Sequence, residues 1–346
     1  MPVIRIVDKP HTTFEGTFRD NELAASLLPN GKLGKLIYST SSSRGTFVID
    51  AALVDEVASM AKGYLFDGKK DLDGQKTAEN WIFRLKYATA GRTVVALPYG
   101  NPDERLLKSI APGELQYYLK YAKLSLESIL GRPVVAERGW GSGSSRLGNQ
   151  MKSDYRDNRR LLTGLSTITT SLEVSTTRAR LAIFMNPLLS RKEQAFYSYQ
   201  ENLAVAAVSN RLKVIPGRYQ ITSSSAKLPI TLINNFETAS VVSLSLIPLN
   251  ARISVENINN ISIASRSRQQ ILVPVNVNVQ GETLVLAQFV NSEGQPVGKI
   301  SKLNITSTVI DSRVTWFTTS AAILLLLGAI AQSVRRFRRH RSLTSE

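Results

Sequence analysis

Three acidic residues lie where short apolar runs end, a position that often carries chemistry in α/β proteins. Asp50 and Glu137 are the last residues of such runs, and Asp103 lies just beyond another. Barrel and doubly wound enzymes place their active sites at the carboxyl ends of parallel strands. A carboxylate pair there could cleave a glycosidic bond, with Glu137 as the acid and Asp50 or Asp103 as the base or nucleophile.

Two aromatic residues extend this hypothesis, while helix capping offers another interpretation of the acids. Tyr99 and Trp140 are close enough in sequence to stack on a sugar ring held by the acids. Asp50 could instead cap a helix that begins at the next residue, and Asp103 could cap the turn or helix that follows it. Glu137 could pair at the surface with the arginine beside it. The sequence leaves both interpretations open.

The spacing of apolar residues shows which elements would position these side chains. From residue 34, short apolar runs alternate with stretches of helical period, which is typical of βα units and a parallel sheet. The pattern predicts strands over 46–50, 92–98 and 133–137, and helices over 51–63, 77–88 and 112–130. Only three or four such units are visible, fewer than a complete (β/α)₈ barrel needs. We therefore predict a partial or degenerate barrel-like domain that binds a glycan or a partner without catalysis.

The N-terminal part divides into three predicted segments. They are an N-terminal segment over 1–33, the α/β domain over 34–150, and a basic, mainly helical region over 151–212 that completes it. Inside the last segment, residues 179–185 could form a further buried strand, and 192–212 has helical spacing.

The apolar period changes from 3.6 to 2 after Pro216 and Gly217. About seven short strands at intervals of about 8–12 residues predict a two-sheet β-sandwich. We assign an Ig-like sandwich to 213–310, although the chain has no cysteine and therefore lacks the disulfide of antibody domains. The predicted fold class is thus multi-domain α+β: a barrel-like α/β domain, an Ig-like β-sandwich and a single transmembrane helix.

The transmembrane helix is predicted over residues 314–334, which contain no charged residue. A bilayer core about 30 Å thick needs about 20 largely apolar residues. The interfacial aromatics would be Trp316 and Phe317, and the cytoplasmic end would be marked by Arg335, Arg336, Arg338 and Arg339. Residues 335–346 would then form a cytoplasmic tail, with the bulk of the chain outside. A buried helix of a soluble protein is the alternative.

The start of the chain does not match this orientation. The apolar run formed by the first residues is too short to act as a signal peptide, and it contains charged residues. Some 300 residues do not usually cross a membrane without one. Either the natural start lies further upstream, which we expect, or the protein is tail-anchored with an unusual charge bias.

The amino-acid composition limits which kinds of catalysis and which binding partners are expected. The net charge is +16, there is no cysteine, and the two histidines are His11 and His340. Thiol catalysis, a Ser-His-Asp triad and multi-histidine metal sites are therefore disfavoured, and we expect no cofactor. The glycine-rich stretch 139–145 has neither phosphate-loop pattern. A basic surface favours polyanions, here lipid headgroups or anionic wall polymers. No nucleic-acid recognition motif accompanies the charge, so nucleic acid is not an expected partner.

The order of these parts resembles an actinobacterial family of membrane-anchored proteins of unknown function, often encoded beside the lipid II flippase. The matching phrases are Phe47–Leu53, Ala96–Asp103, Leu228–Asn235 and Gly294–Gly298, followed by the apolar helix and its arginines. The resemblance implies a location in the cell envelope. It also suggests envelope-assembly proteins or cell-wall glycan as partners.

Two functions follow as expectations. The first is a single-pass envelope protein that acts as a non-enzymatic binding or scaffolding factor in peptidoglycan assembly or precursor export. The second is a membrane-anchored carbohydrate-active hydrolase that uses Asp50, Asp103 and Glu137.

Overall fold

The computed structural model describes residues 2–39, 45–308 and 320–333. These residues form a mixed α/β fold in which a parallel sheet with helices is followed by two antiparallel-rich sheets. Buried apolar residues from both parts join in one large core cluster.

The N-terminal part is built on a small parallel sheet. Strands β1 to β5 are Val3–Ile6, Thr46–Ile49, Leu65–Phe66, Lys69–Lys70 and Thr93–Ala96. The sheet has the order β1-β2-β5, while β3 and β4 form a separate short hairpin. Two of the predicted strands are therefore confirmed. The third contributes only a parallel bridge between Val135 and Val95, and β1 was not predicted as a strand.

Helices cover this sheet and extend beyond it. Helices α1 to α9 are Glu22–Leu27, Lys32–Tyr38, Ala51–Ala61, Leu72–Thr89, Glu104–Ile110, Pro112–Leu130, Asn149–Ser166, Leu172–Arg180 and Arg191–Ser209. Helix α6 shows why the ends of a helix can be predicted from the sequence. It starts at Pro112 and stops at Gly131, whose left-handed backbone (φ 67°) ends the helix. The suggested strand over 179–185 is wrong, because α8 and a 3₁₀ turn at Ile183–Met185 occupy it.

The second part is a β-sandwich. Strands β6 to β14 are Leu212–Val214, Gly217–Ile221, Ser225–Asn234, Ser240–Pro248, Ile253–Val255, Ile258–Ile263, Ser267–Val277, Gly281–Val290 and Pro296–Ser307. They form one sheet of order β10-β12-β8-β6 and another of order β11-β9-β13-β14-β7. Alternate residues of β8, such as Leu228, Ile230 and Leu232, are buried between the sheets. The period of 2 therefore reports a real inner face.

The helical region and the sandwich are hydrogen-bonded to each other. The loop 167–171 between α7 and α8 lies against the β8–β9 connection. There Val241 N donates to Ile168 O at 3.0 Å, and the hydroxyls of Thr169 and Thr238 are 2.7 Å apart. These bonds hold α8 next to the sandwich.

A further helix, α10, covers residues 320–333, and its side chains are exposed or half-buried. Among the described residues, no helix is both long enough and apolar enough to cross a membrane. The rest of the predicted anchor lies outside the described residues, namely Trp316, Phe317, Arg335, Arg336, Arg338 and Arg339.

Candidate functional site

Asp50 lies at the carboxyl end of β2 and is almost completely buried. Its Oδ1 accepts hydrogen bonds from the backbone N–H of Ala52 at 3.0 Å and of Gly100 at 2.9 Å. The first bond caps α3, and the second ties the loop after β5 to the sheet edge. Burial raises the pKa of Asp50 from 3.8 to about 7, because a charged carboxylate is poorly solvated there.

Asp103 is also a buried cap. Its Oδ1 accepts from Arg105 N at 2.9 Å and Leu106 N at 3.2 Å, at the start of α5. Its Oδ2 accepts from Ser145 N at 2.8 Å in the glycine-rich loop. Both oxygens of this carboxylate are therefore occupied by backbone donors, as the capping interpretation requires.

Glu137 differs from the other two acids in its exposure. It is exposed, and within the described part of the chain its side chain makes no hydrogen bond or ion pair. Arg138, its expected partner, donates to Gln116 instead. The buried acid near this loop is Glu104, which accepts from Gly139 N at 2.9 Å and Gly141 N at 2.8 Å. Among the described residues, no hydrogen bond links Glu137 to Asp50 or Asp103.

The two aromatic residues proposed for sugar stacking do not present free rings. Tyr99 is buried, and its hydroxyl donates to Asp55 at 2.7 Å. Trp140 packs against Val48 and Val95 on one face of the sheet. Tyr99 lines the cavity of about 80 Å³ beside Asp55, and Trp140 is half-buried.

Two further carboxyls near this edge were missed in the sequence. Asp55 and Glu56 lie on α3, and burial raises the pKa of each. Glu56 accepts from the Thr12 hydroxyl at 2.6 Å and from the His11 backbone N–H at 3.1 Å. The signal for Glu56 was its helical spacing, since it falls four residues before the buried Met60.

The space around these acids is small. A cavity of about 10 Å³ lies among Asp50, Glu56 and Asn186, and another of about 80 Å³ lies beside Asp55 and Arg180. The first has room for about one water molecule. Ligand sites usually measure about 300–1,000 Å³. Both cavities are therefore smaller than a usual ligand site.

A larger cavity lies elsewhere, between α8 and α9. This α8–α9 groove measures about 620 Å³ and is mainly apolar. Its apolar lining is Phe14, Leu172, Leu203, Ala204, Ala207 and Val208, and its acidic residues are Glu15, Glu173 and Glu237. Leu172 and Leu203 are exposed at its rim, at 69% and 49%.

The acids of the groove differ in how they are held. Glu237, from the β8–β9 connection, accepts from the Ser171 hydroxyl at 2.7 Å and from Leu172 N at 2.8 Å. Hydrogen bonds from its own backbone and from Ser171 hold the pKa of Glu237 below its usual value. Glu173 pairs with Arg211 at 3.1 Å. Glu15 has no ion pair among the described residues. The charged residues that line the groove are therefore all acidic, and a guanidinium pairs with one of them.

One group of side chains could be considered for a metal ion. Potential ligand atoms of His11, Asp20 and Glu22 lie within 4.8 Å of one another. However, His11 Nδ1 is already 2.8 Å from Asp20, and the Lys9 ammonium is 3.0 Å from Glu22. A lysine cation thus occupies the place where a metal would add positive charge, so we treat this as an ion-pair network.

Comparison with solved structures finds matches that each cover 28–29% of this chain. WR4 of C. elegans, an MSP family member, matches at 9% identity over 28% of this chain and 97% of its own, with a TM-score of 0.22. The PapD-like domain of human CEP192 matches at 10% identity over 29% and 87%, with a TM-score of 0.22. Native E. coli alpha-2-macroglobulin matches at 10% identity and a TM-score of 0.23, but this match covers 28% of the chain and only 6% of that protein.

No curated protein matches this chain. A family model does match, over residues 128–344. The matched residues contain α8, α9 and the sandwich, whereas Asp50 and Asp103 lie outside them. Since the match covers more than half of the chain, the protein belongs to DUF6049, a family of unknown function.

Proposed function

We propose that this chain is a single-pass protein of the cell envelope membrane that binds a protein partner through the α8–α9 groove and does not act as an enzyme. The observation that carries the proposal is the contrast between two sites. The groove is open, mainly apolar and of ligand size, whereas the buried acids surround cavities of about 10 and 80 Å³. The proposed role is that of a scaffolding factor in cell-wall assembly or precursor export, in line with the resemblance of the sequence.

The membrane part of the proposal is supported by α10 and its surroundings in the sequence. Leu324, Leu325, Leu326 and Leu327 follow one another around the helix, and each is more than half exposed. A helix that is apolar on every side is normally buried in a protein core or in a membrane. We propose that residues 314–334 cross the membrane and that the arginines of 335–346 stay on the cytoplasmic side.

The chemistry of the groove suggests what kind of segment it binds. An apolar channel between two helices suits the apolar face of an amphipathic helix. The acidic rim formed by Glu15, Glu173 and Glu237 favours lysine or arginine at the edges of that face. We therefore propose a basic amphipathic helix of an envelope-assembly protein as the occupant.

Complementation in cells tests this proposal. Leu203→Asp places a charge at the apolar rim of the groove, and Leu124→Asp places the same charge at an exposed leucine of α6. In cells depleted of the wild-type protein, Leu203→Asp is expected to fail to restore wall growth and precursor export, while Leu124→Asp restores both. If depletion leaves both processes unaltered, the role in wall assembly is wrong. If both variants complement equally, the groove is not the binding site.

The hydrolase remains a second candidate because of one observation. Burial raises the pKa of Asp50 to about 7, which is the range that suits a general base at neutral pH. Purified full-length protein should then cleave a wall glycan, and Asp50→Asn, Asp103→Asn or Glu137→Gln should each reduce cleavage at least a hundredfold. Full function of all three variants in cells would exclude this candidate.

A further inference from the structure

The end of the sandwich where the chain leaves it is formed by three neighbouring loops. These loops, 222–224, 249–252 and 278–280, are called the sandwich tip below. Ser307, at the end of β14, pairs with Gly281. Thr308 N donates to Ile221 O at 2.8 Å. The chain therefore departs toward residues 314–334 from within this tip.

The tip is held together by backbone and side-chain hydrogen bonds. Asn278 N and Val279 N donate to the carbonyl oxygen of Arg252 at 2.7 and 3.0 Å. The Thr283 hydroxyl donates to Asn250 Oδ1 at 2.9 Å. These bonds link the β9–β10 and β12–β13 connections, so their outward side chains are presented by a defined surface.

That surface carries two apolar side chains that are exposed to solvent. Leu249 is 58% exposed and Val279 is 56% exposed. The remaining residues of the three loops are uncharged except for Arg252. The first acidic residue after loop 278–280 is Glu282, on β13. The tip thus offers two apolar groups beside a cation, which is the composition expected at a bilayer surface.

Chain length places the tip near the bilayer. Only residues 309–313 separate Thr308 from the apolar segment 314–334. A fully extended chain of that length spans about 20 Å at most. If the segment crosses the membrane, the tip can therefore reach the headgroup layer without any rearrangement.

We propose that the sandwich tip docks on the lipid surface, with Leu249 and Val279 in the interfacial layer and Arg252 among anionic headgroups. This inference rests on the proposed membrane anchor and adds an orientation to it. The tip lies at the Ser225 end of β8, and the β8–β9 connection that lines the groove follows the other end, at Asn234. Docking would hold the α8–α9 groove roughly 30 Å from the membrane, the length of a ten-residue strand.

The absence of cysteine allows a direct test. Leu249→Cys, Val279→Cys and Val241→Cys are labelled one at a time with an environment-sensitive fluorophore in the full chain. Val241 is the matched control, because it is 55% exposed and lies at the other end of β9. The fourth variant, Ile323→Cys in α10, reports the anchor itself. Each protein is reconstituted into phosphatidylcholine–phosphatidylglycerol vesicles with or without nitroxide-labelled lipid.

We expect probes at Leu249 and Val279 to shift to the blue and to be quenched several times more strongly than the probe at Val241. Equal quenching at all three positions, with the Ile323 probe quenched, overturns the docking and leaves the anchor standing. A blue shift without quenching means that a protein covers the tip, which also overturns it. If the Ile323 probe is not quenched, the proposed anchor fails, and the docking fails with it.

Discussion

Replacing Asp50 by asparagine probes how the α/β region holds a carboxyl group in its interior. The asparagine oxygen can still accept from Ala52 N and Gly100 N, so the cap of α3 and the link to the β5 loop are kept. The substitution removes the carboxyl group that gains or loses a proton. The effect on stability should therefore depend on pH, and its direction follows from the pKa.

The wild-type protein is predicted to lose stability as the pH rises. Unfolded, Asp50 releases its proton near its ordinary pKa of 3.8, whereas in the folded state it keeps the proton to about pH 7. Between these values the folded state binds more protons, so the free energy of unfolding falls with increasing pH. A pKa difference of about three corresponds to about 4 kcal/mol, of which roughly 3 kcal/mol is lost between pH 5 and 8.

Asparagine has no proton to lose, so Asp50→Asn should become more stable relative to wild type by roughly 3 kcal/mol between pH 5 and pH 8. Urea unfolding of the full chain in detergent, followed by tryptophan fluorescence, measures this difference. Trp81 is fully buried in α4 and reports the α/β region. Burial also raises the pKa of Asp55 and Glu56, but these groups are present in both proteins and largely cancel.

The control is Glu282→Gln, which removes an exposed carboxylate from β13 and should leave the pH dependence unchanged. The reasoning is refuted if Asp50→Asn and wild type show the same dependence on pH between 5 and 8. It is also refuted if the variant loses stability relative to wild type as the pH rises.

Three further changes have expected outcomes. Asp103→Ala should lower the free energy of unfolding by about 2–4 kcal/mol, because three backbone N–H groups, including that of Ser145, lose their acceptor. Asp103→Asn should lower the free energy of unfolding less. Equal losses in the two variants would contradict this reasoning. Glu237→Ala should cost about 1–2 kcal/mol by removing the acceptor of the Ser171 hydroxyl and Leu172 N, measured as faster amide exchange at the start of α8. Glu137→Gln should change neither urea midpoint nor complementation, since this side chain is exposed, and a shift above about 0.5 kcal/mol would be unexpected.

Much of the fold could be predicted because its signals are local. Capping by Asp50 and Asp103 is visible from a short acidic residue followed by a helical pattern. The sandwich is visible because alternate residues of β8 and β9 face its core. By contrast, β1 is a run of four residues whose strand character depends on pairing with β2 some 40 residues later.

The candidate site was harder to predict from the sequence, because the burial of each acid is decided by distant parts of the chain. Glu137 and Glu104 are both ordinary acids in sequence, yet Glu137 is exposed and Glu104 is buried by the loop that contains Gly139 and Gly141. The position of Asp50 after a strand is visible in the sequence, but the small space around it depends on Glu56 and Asn186. Local pattern therefore identified acids without showing whether any cavity surrounds them.

The sequence by itself determined the periodicities, the capping residues, the basic balance and the apolar segment 314–334 with its arginines, since each depends on residue type and near neighbours. The tertiary structure alone decided the α8–α9 groove and the sandwich tip. At the groove, Glu237 contacts Ser171, 66 residues earlier in the chain. At the tip, the Val279 N–H donates to the carbonyl oxygen of Arg252, with strands β10 to β12 between them in the chain. Both surfaces are formed by contacts between segments that are far apart in the chain, and no local pattern encodes such contacts.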